Sequence, residues 1–309
     1  MAVVLAIAVG FSLFLPGFAT AGNALVLLRS VSILGIFSLG MAVVVLGRSV
    51  DLSLIAVGVV SASLTSSLLV AGYAPPTAFG LGLLLAVGMG ALNGAIIAIF
   101  KVPALLATIA SALVFVGVAR VTVVKSMIAP VPAELHSLLA LGRNWLGFPA
   151  PLIMFMVLAL VLHLFLRFTT VGRFIYAQGE NQEAARLTGI PVGALIALEF
   201  AISASIGFIG GLAMIASTAT INLRAASSTL VFDVLMVVIL GGVSLTGGRG
   251  GVLSVIAGVL LIGVLLNGMT IMDLNFFLQS VIKGAVLLFA VVLDDLLHPR
   301  DEETGRRGG

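Results

Sequence analysis

The chain has 309 residues, of which 61% are hydrophobic and 9% charged. A soluble domain carries about 25% charged residues, so this composition excludes an ordinary soluble fold. The net charge of +3 is small, Cys is absent, and the three histidines (His136, His163 and His298) are scattered. Disulfides and thiolate metal centres are thereby excluded, and no zinc-ligand spacing is present.

In chain order, the apolar runs predict helices at approximately 2–18, 28–47, 53–71, 77–100, 103–123, 151–167, 192–217, 230–247, 251–271 and 276–293. A bilayer core about 30 Å thick takes roughly 20 apolar residues per spanning helix. Strand alternation is weak and Gly frequent, which argues against a barrel. The expected fold class is therefore all-α, a polytopic integral membrane protein of about ten transmembrane helices. It forms one domain over 1–296, followed by a charged, Gly-rich tail over 297–309 that is expected to be disordered and cytoplasmic.

The first run, VVLAIAVGFSLFL followed by ATA, has the apolar core and cleavage site of a signal peptide but no basic residue before it. A retained first helix is the favoured reading. Two polar stretches interrupt the remaining runs, 126–150 and 168–191. With the start of the chain inside, the inner connections carry Arg48, Lys101, Arg167, Arg173, Arg186, Arg249, Arg300, Arg306 and Arg307. The outer ones carry Arg29, Arg120, Lys125, Arg143 and Arg224. Nine against five follows the positive-inside bias, which places both termini and 168–191 in the cytoplasm and 126–150 outside, with Trp145 as an interfacial anchor.

ALNGAIIAIFKVPALLATIASALVF, from residue 91, is similar to LLNGMTIMDLNFFLQSVIKGAVLLF, from residue 265. The threading puts the shared Asn93-Gly94 and Asn267-Gly268 at opposite membrane faces. An inverted repeat of spans 2–5 and 7–10, a common transporter plan, accounts for this; chance similarity between two Ala/Leu/Gly-rich helices is the alternative.

The peptide GENQEAARLTGI, residues 179–190, is the one short polar helix in these surroundings. Asn181 suits an N-cap, Glu183 the first turn, Arg186 the last turn and Gly189 the left-handed position after the helix, with Pro191 beyond. Ala184, Leu187 and Ile190 form a small apolar stripe. Such a helix either rests on the headgroups or presents a knob to a cytoplasmic partner; Leu187 is the best knob, and Ala185 is small enough for close backbone approach.

Asp51 and Ser53 precede an apolar helix, where capping is the first expectation. Arg48 could pair with Asp51 or anchor to headgroups. TGGRGG at 246–251 lacks the Lys-Ser/Thr of a phosphate loop and follows no predicted strand, so it reads as a tight turn permitting close helix approach. Gly207 and Gly211 have helix-packing spacing. Glu199, Asp233 and Lys283 are ionisable groups in the spans and should face protein or water; Lys283 is expected to pair with Glu199 or Asp233 and hold helices together.

The succession GRSVDLSLIAVGVVSASL, LNGAIIAIFKVPALLATIASALVFVG, TTVGRFIYAQGENQEAARLTGI, VILGGVSLTGGRGGVLSVIAGVLLIGVLLNG and SVIKGAVLLFAVVLDD, from about residue 24 to 296, resembles the ribose-type permeases of ABC importers. The resemblance implies a bacterial inner-membrane permease subunit that hydrolyses nothing itself, with ATP and Mg held by a partner ATPase. It further implies an extracytoplasmic solute-binding protein and a second permease copy or paralogue. No nucleic-acid partner is expected. The family's coupling helix, which docks into the ATPase, matches Gly179, Glu180, Asn181, Glu183, Ala184, Ala185, Arg186, Leu187 and Gly189. Asp51, Ser53, Asn93 and Asn267 become candidates for the translocation path, and Lys283 matches a Lys-Gly pair of the family.

The chain departs from the family pattern at Gly47-Arg48-Ser49-Val50-Asp51-Leu52-Ser53-Leu54, where Gly-Gly-Ile-Asp-Leu-Ser-Val-Gly is usual. It departs again at Thr229-Leu230-Val231-Phe232-Asp233, where Glu-Leu-Asp-Ala-Ile is usual. Both departures fall at helix starts and bear on the solute rather than the architecture. The expected solute is a monosaccharide or polyol, with nucleosides or branched-chain amino acids as the alternatives within the class. An ion-coupled secondary transporter could use the same repeat, but the chain of ionisable groups expected of a proton relay is not readable. A membrane enzyme would need a catalytic constellation, and none is legible.

Overall fold

The computed structural model describes residues 2–123, 127–227 and 229–297. Each of the ten predicted runs falls on a helix. The first five are α1 (Ala2–Phe14), α2 (Ala21–Leu46), α3 (Leu54–Val70), α4 (Pro75–Phe100) and α5 (Ala104–Thr122). A connection follows that holds strand β1 (Ile128–Pro130), the single turn α6 (His136–Leu139) and the short strands β2 (Asn144–Trp145) and β3 (Phe148–Pro149). Then come α7 (Ala150–Phe168), α8 (Thr170–Glu180), α9 (Gln182–Leu187) and α10 (Val192–Thr218). Strand β4 (Thr220–Asn222), α11 (Leu230–Leu240), α12 (Val252–Ile271) and α13 (Phe276–Leu297) complete the described chain. Lys125, Ser126, His298, Arg300, Arg306, Arg307 and the tail expected beyond Leu297 lie outside the described residues.

Six of these helices, α2, α4, α5, α7, α10 and α12, are long and apolar enough to cross a membrane. Of the other apolar helices, α1, α3 and α11 are shorter, at 13, 17 and 11 residues, and two boundaries differ from expectation by seven residues. α2 starts seven residues before 28, at Ala21 instead, because Thr20 caps it by accepting from the Asn23 N–H at 3.3 Å. α11 stops at Leu240 rather than 247. Gly242, at φ +94°, turns the chain there, and the Val243 N–H closes onto Val238 O at 3.1 Å, a glycine stop that the run of apolar residues obscures.

α10 is the centre of the bundle and packs against α2, α3 and α4. Its glycines permit this: a Cβ at Gly211 would collide with the Gly58 carbonyl of α3, and one at Gly207 with the Leu54 side chain. The helix contacts repeat across the two halves. α10 packs on α3 and α4 as α2 packs on α11 and α12; α3 meets α4 and α5 as α11 meets α12 and α13. Exchanging α2 with α10, α3 with α11, α4 with α12 and α5 with α13 therefore maps one set of contacts onto the other.

The directions are opposed, as an inverted repeat requires. Gly47 faces Glu199 while Gly210 faces Phe37, so α2 and α10 run antiparallel. In this scheme α3 and α11, the two short interior helices, are equivalent. α3 follows a non-helical linker in which Gly47, Asp51 and Ser53 are buried and Arg48 is exposed, whereas α11 follows a 3₁₀ turn (Leu223–Ser227) in which Leu223 is buried and Arg224 exposed.

The two polar stretches lie at opposite ends of the bundle. β1 pairs antiparallel with β4, and Gly142 sits against the Ala216 carbonyl, so residues 127–149 cover the C-terminal end of α10. α8 and α9 precede its N-terminal end.

Candidate functional site

The polar stretch 168–191, in which the sequence predicts one short helix over 179–190, contains two. α8 is an eleven-residue amphipathic helix, capped where Thr169 Oγ1 accepts from the Gly172 N–H at 3.0 Å. It buries Gly172, Ile175, Gln178 and Gly179. The signal in the sequence was Thr169 followed by apolar residues at helical spacing.

α9 follows directly and is closed at both ends. Asn181 Oδ1 accepts from the Ala184 N–H at 2.9 Å. At the other end the Gly189 and Ile190 N–H groups bond the Arg186 and Ala185 carbonyls at 3.0 and 3.1 Å, with Gly189 at φ +87°. Arg186 Nη1 pairs with Glu183 Oε1 at 3.1 Å on the exposed surface.

The apolar stripe divides between two faces. Leu187 is 89% exposed and Ala184 is exposed, whereas Ala185, 4% exposed, packs inward with Val44, Ile97, Val192, Ile196 and Phe200. Ile190 lies half-buried against the same cluster. Glu180 is exposed but Gly179 is not. α9 is thus seated on the bundle through Ala185 and turns Ala184 and Leu187 outward.

The end of α8 meets three other elements. Gln178 Nε2 donates to Gly47 O at 3.2 Å and to the Glu199 carboxylate at 3.1 and 3.4 Å. Gln178 and Glu199 are both fully buried. A side chain on Gly179 would strike Leu46 O and the Gly248 N–H, which bond each other at 2.9 Å. The loop 244–251 earns its glycines here: Gly247, Gly248 and Gly250 have φ of +84°, +70° and +105°. Tyr176 Oη donates to Gly250 O at 3.0 Å.

The expected charge network separates into two sites. Lys283 Nζ of α13 pairs with Asp233 Oδ2 of α11 at 2.8 Å. Glu199 stands apart, held by Gln178, a partner the sequence did not suggest because the two lie on different helices.

Asp51, Ser53 and Asn93 do come together. Asp51 Oδ1 accepts from the Ser53 N–H at 2.9 Å and from Ser53 Oγ at 2.5 Å. Asn93 Nδ2 of α4 donates to Ser53 Oγ at 2.8 Å. Burial pushes the Asp51 carboxyl up to about 6, while the bonds from Ser53 hold it back. Asp51 bends the linker before α3 rather than capping the helix by its own position, because Ser53 is the residue that flanks Leu54. Arg48 is exposed with φ +71° and makes no ion pair with Asp51. Asn267 lies at the other end of the bundle, bonded to Asn23 of α2.

Residues 23–291 match the family described as branched-chain amino acid transport system / permease component. The chain is similar to the ribose import permease protein RbsC of Bacillus subtilis strain 168, 34% identical over 92% of this chain and 88% of that protein. It is 36% identical to the L-arabinose transport system permease protein AraH of Escherichia coli strain K12, over 92% of this chain and 85% of the relative. The E. coli K12 ribose import permease protein RbsC is 31% identical over 91% and 88% of the two chains. No solved structure matches.

Proposed function

This chain belongs to the branched-chain amino acid transport system / permease component family, and from that premise we propose that it is the membrane permease subunit of an ABC importer for a monosaccharide. Relatives named for ribose and arabinose support the substrate class over branched-chain amino acids. Partner subunits hydrolyse ATP and an extracytoplasmic binding protein delivers the solute. A second permease copy or paralogue completes the path within the bacterial inner membrane.

The observation that carries the reading is α9: a fully capped helix, seated on the bundle through Ala185, whose exposed Leu187 has no place against the protein's own core. A large apolar side chain on a rigid, two-ended helix suits insertion into a groove of a partner. The bundle behind it supplies the second half of the reading. Two short helices, α3 and α11, occupy equivalent places in the repeated helix contacts, an internal symmetry of the kind that places solute sites near the repeat interface in transporters. Arg48, Lys101, Arg167, Arg173, Arg186 and Arg249 stand at the α8–α9 end, against Arg29, Arg120, Arg143 and Arg224 at the other, a balance that favours α9 on the cytoplasmic side.

The test is reconstitution of the permease with its ATPase and binding protein in proteoliposomes. Monosaccharide uptake should require ATP on the α9 side and binding protein on the other. Uptake that proceeds without ATPase and follows a proton or sodium gradient would establish the secondary-transporter alternative instead.

A further inference from the structure

Resting on that reading, we infer that Gln178 and Glu199 are positioning residues that link α8–α9 to the two central helices, so that displacement of α9 moves α2 and α10 together. Gln178 is the last but two of α8, three positions before the α9 cap at Asn181. Its carboxamide holds both central helices at once: Gly47 O ends α2 and the Glu199 carboxylate projects from α10. These two helices are the exchanged pair of the inverted repeat, and each packs on the short helix of the other half.

The joint has no slack. A side chain at Gly47 would strike the Glu199 carboxylate, and one at Gly179 would strike Leu46 O, so α8 can neither approach nor roll past α2 without breaking the contact. Glu199 has Gln178 as its sole hydrogen-bond partner among the described residues. Separating the two would strand a buried carboxyl and a buried carboxamide, which is far more costly than losing an exposed bond. The cluster therefore travels as a unit. The remaining contacts of α9 with the bundle, around Ala185, are apolar and non-directional and can slide.

The experiment measures solute transported per ATP hydrolysed in proteoliposomes holding the complete complex. Gln178→Leu and Glu199→Leu should each lower this ratio by about tenfold, the coupling lost with a buried hydrogen bond. The ATPase should remain bound. The double variant should be no worse than either single one, and Glu199→Gln, which keeps an acceptor for Gln178, should restore the ratio to within about twofold.

A purely structural role predicts a different result: lowered melting with uptake and hydrolysis falling in parallel and the ratio unchanged, which would overturn the inference. Should Gln178→Leu fail to assemble, Gln178→Asn, whose amide is one methylene short of Glu199, decides on the same ratio. If the native complex shows no ATP-driven uptake at all, the permease reading fails first, and the ratio is never reached.

Discussion

Asn23 and Asn267 hold α2 to α12 by reciprocal side-chain hydrogen bonds, 3.0 Å from Asn23 Nδ2 to Asn267 Oδ1 and 2.9 Å in return. Asn23 Nδ2 also reaches Phe18 O at 2.8 Å, so the same amide fixes the turn between α1 and α2. Gly268 beside it admits the Phe11 ring of α1. The Asn-Gly pair that drew attention as a repeat signature is thus a helix clasp: Asn bonds across, and Gly lets the neighbour in. Asn93-Gly94 does the same at the other end, with Asn93 on Ser53 and Gly94 against Ala197 of α10. Asn267→Ala is expected to lower the stability of the purified complex by roughly 1 kcal/mol, typical of interhelical hydrogen bonds in membranes. The solute KM should not change, and adding Asn23→Ala should cost little more. A raised KM at unchanged melting would place Asn267 in the translocation path.

The Lys283–Asp233 pair joins α13 to the short helix α11 at 2.8 Å, with both side chains largely buried. Removing one partner leaves a charge without compensation, which typically costs about 3–5 kcal/mol. Lys283→Met should therefore reduce the melting temperature and assembly of the complex sharply. Lys283→Met combined with Asp233→Leu should recover most of the loss, because an apolar pair of similar size is often neutral. Fluorescence-detected gel filtration after heating measures both. If the double variant is as unstable as the single one, the pair does not account for the effect.

The helices were legible because a hydrophobic run of spanning length has few other readings, and α9 because its start and stop residues are local. Asn181, Glu183, Arg186 and Gly189 occupy the positions that their chemistry indicates. What escaped was of two kinds. α8 and the early end of α11 depend on single punctuation residues, Thr169 and Gly242, set within otherwise continuous patterns. The Gln178–Glu199 and Asn23–Asn267 pairs join residues 21 and 244 positions apart, and helix packing alone brings them together. Composition marked Glu199 as a group needing a partner but could not choose between a cation and a carboxamide.

The linker before α3 should make the protein lose stability as pH rises from mild acid towards neutrality. The ordinary Asp value of 3.8 is raised to about 6 at Asp51 by burial. The carboxyl therefore favours the fold most when protonated: its contribution is complete below pH 3.8 and is lost as pH rises through about 6. Asp51→Asn keeps an oxygen to accept from the Ser53 N–H and hydroxyl but never ionises. Its melting temperature should rise relative to the native chain between about pH 5 and pH 7, by the equivalent of at most about 3 kcal/mol. Asp51→Ala, which leaves both Ser53 donors unpaired, should be less stable than the native chain below that range. A difference between Asp51→Asn and the native protein that is flat from pH 5 to pH 7 would show that Asp51 does not titrate there.

Leu187 separates the docking reading of α9 from that of a helix resting on the membrane surface. It is 89% exposed, on a helix closed at both ends and held to the bundle by the buried Ala185. Replacing it therefore leaves the protein's own packing intact. Asp at this position would carry a charge into an apolar groove, and desolvating an unpaired charge costs on the order of several kcal/mol. Leu187→Asp should insert and fold as the native chain does, yet lose ATPase co-purification and solute uptake together. Leu187→Ala, which removes only apolar contact, should retain part of both. Ala185→Leu is the complementary change: it overfills the cluster of Val44, Ile97 and Phe200 and should lower melting before it affects association. Circular dichroism and thermal melting serve as folding controls, and pull-down of the tagged ATPase with uptake in vesicles reads the function. Native levels of association and uptake in the Leu187→Asp variant would return α9 to the role of a surface helix lying on the headgroups.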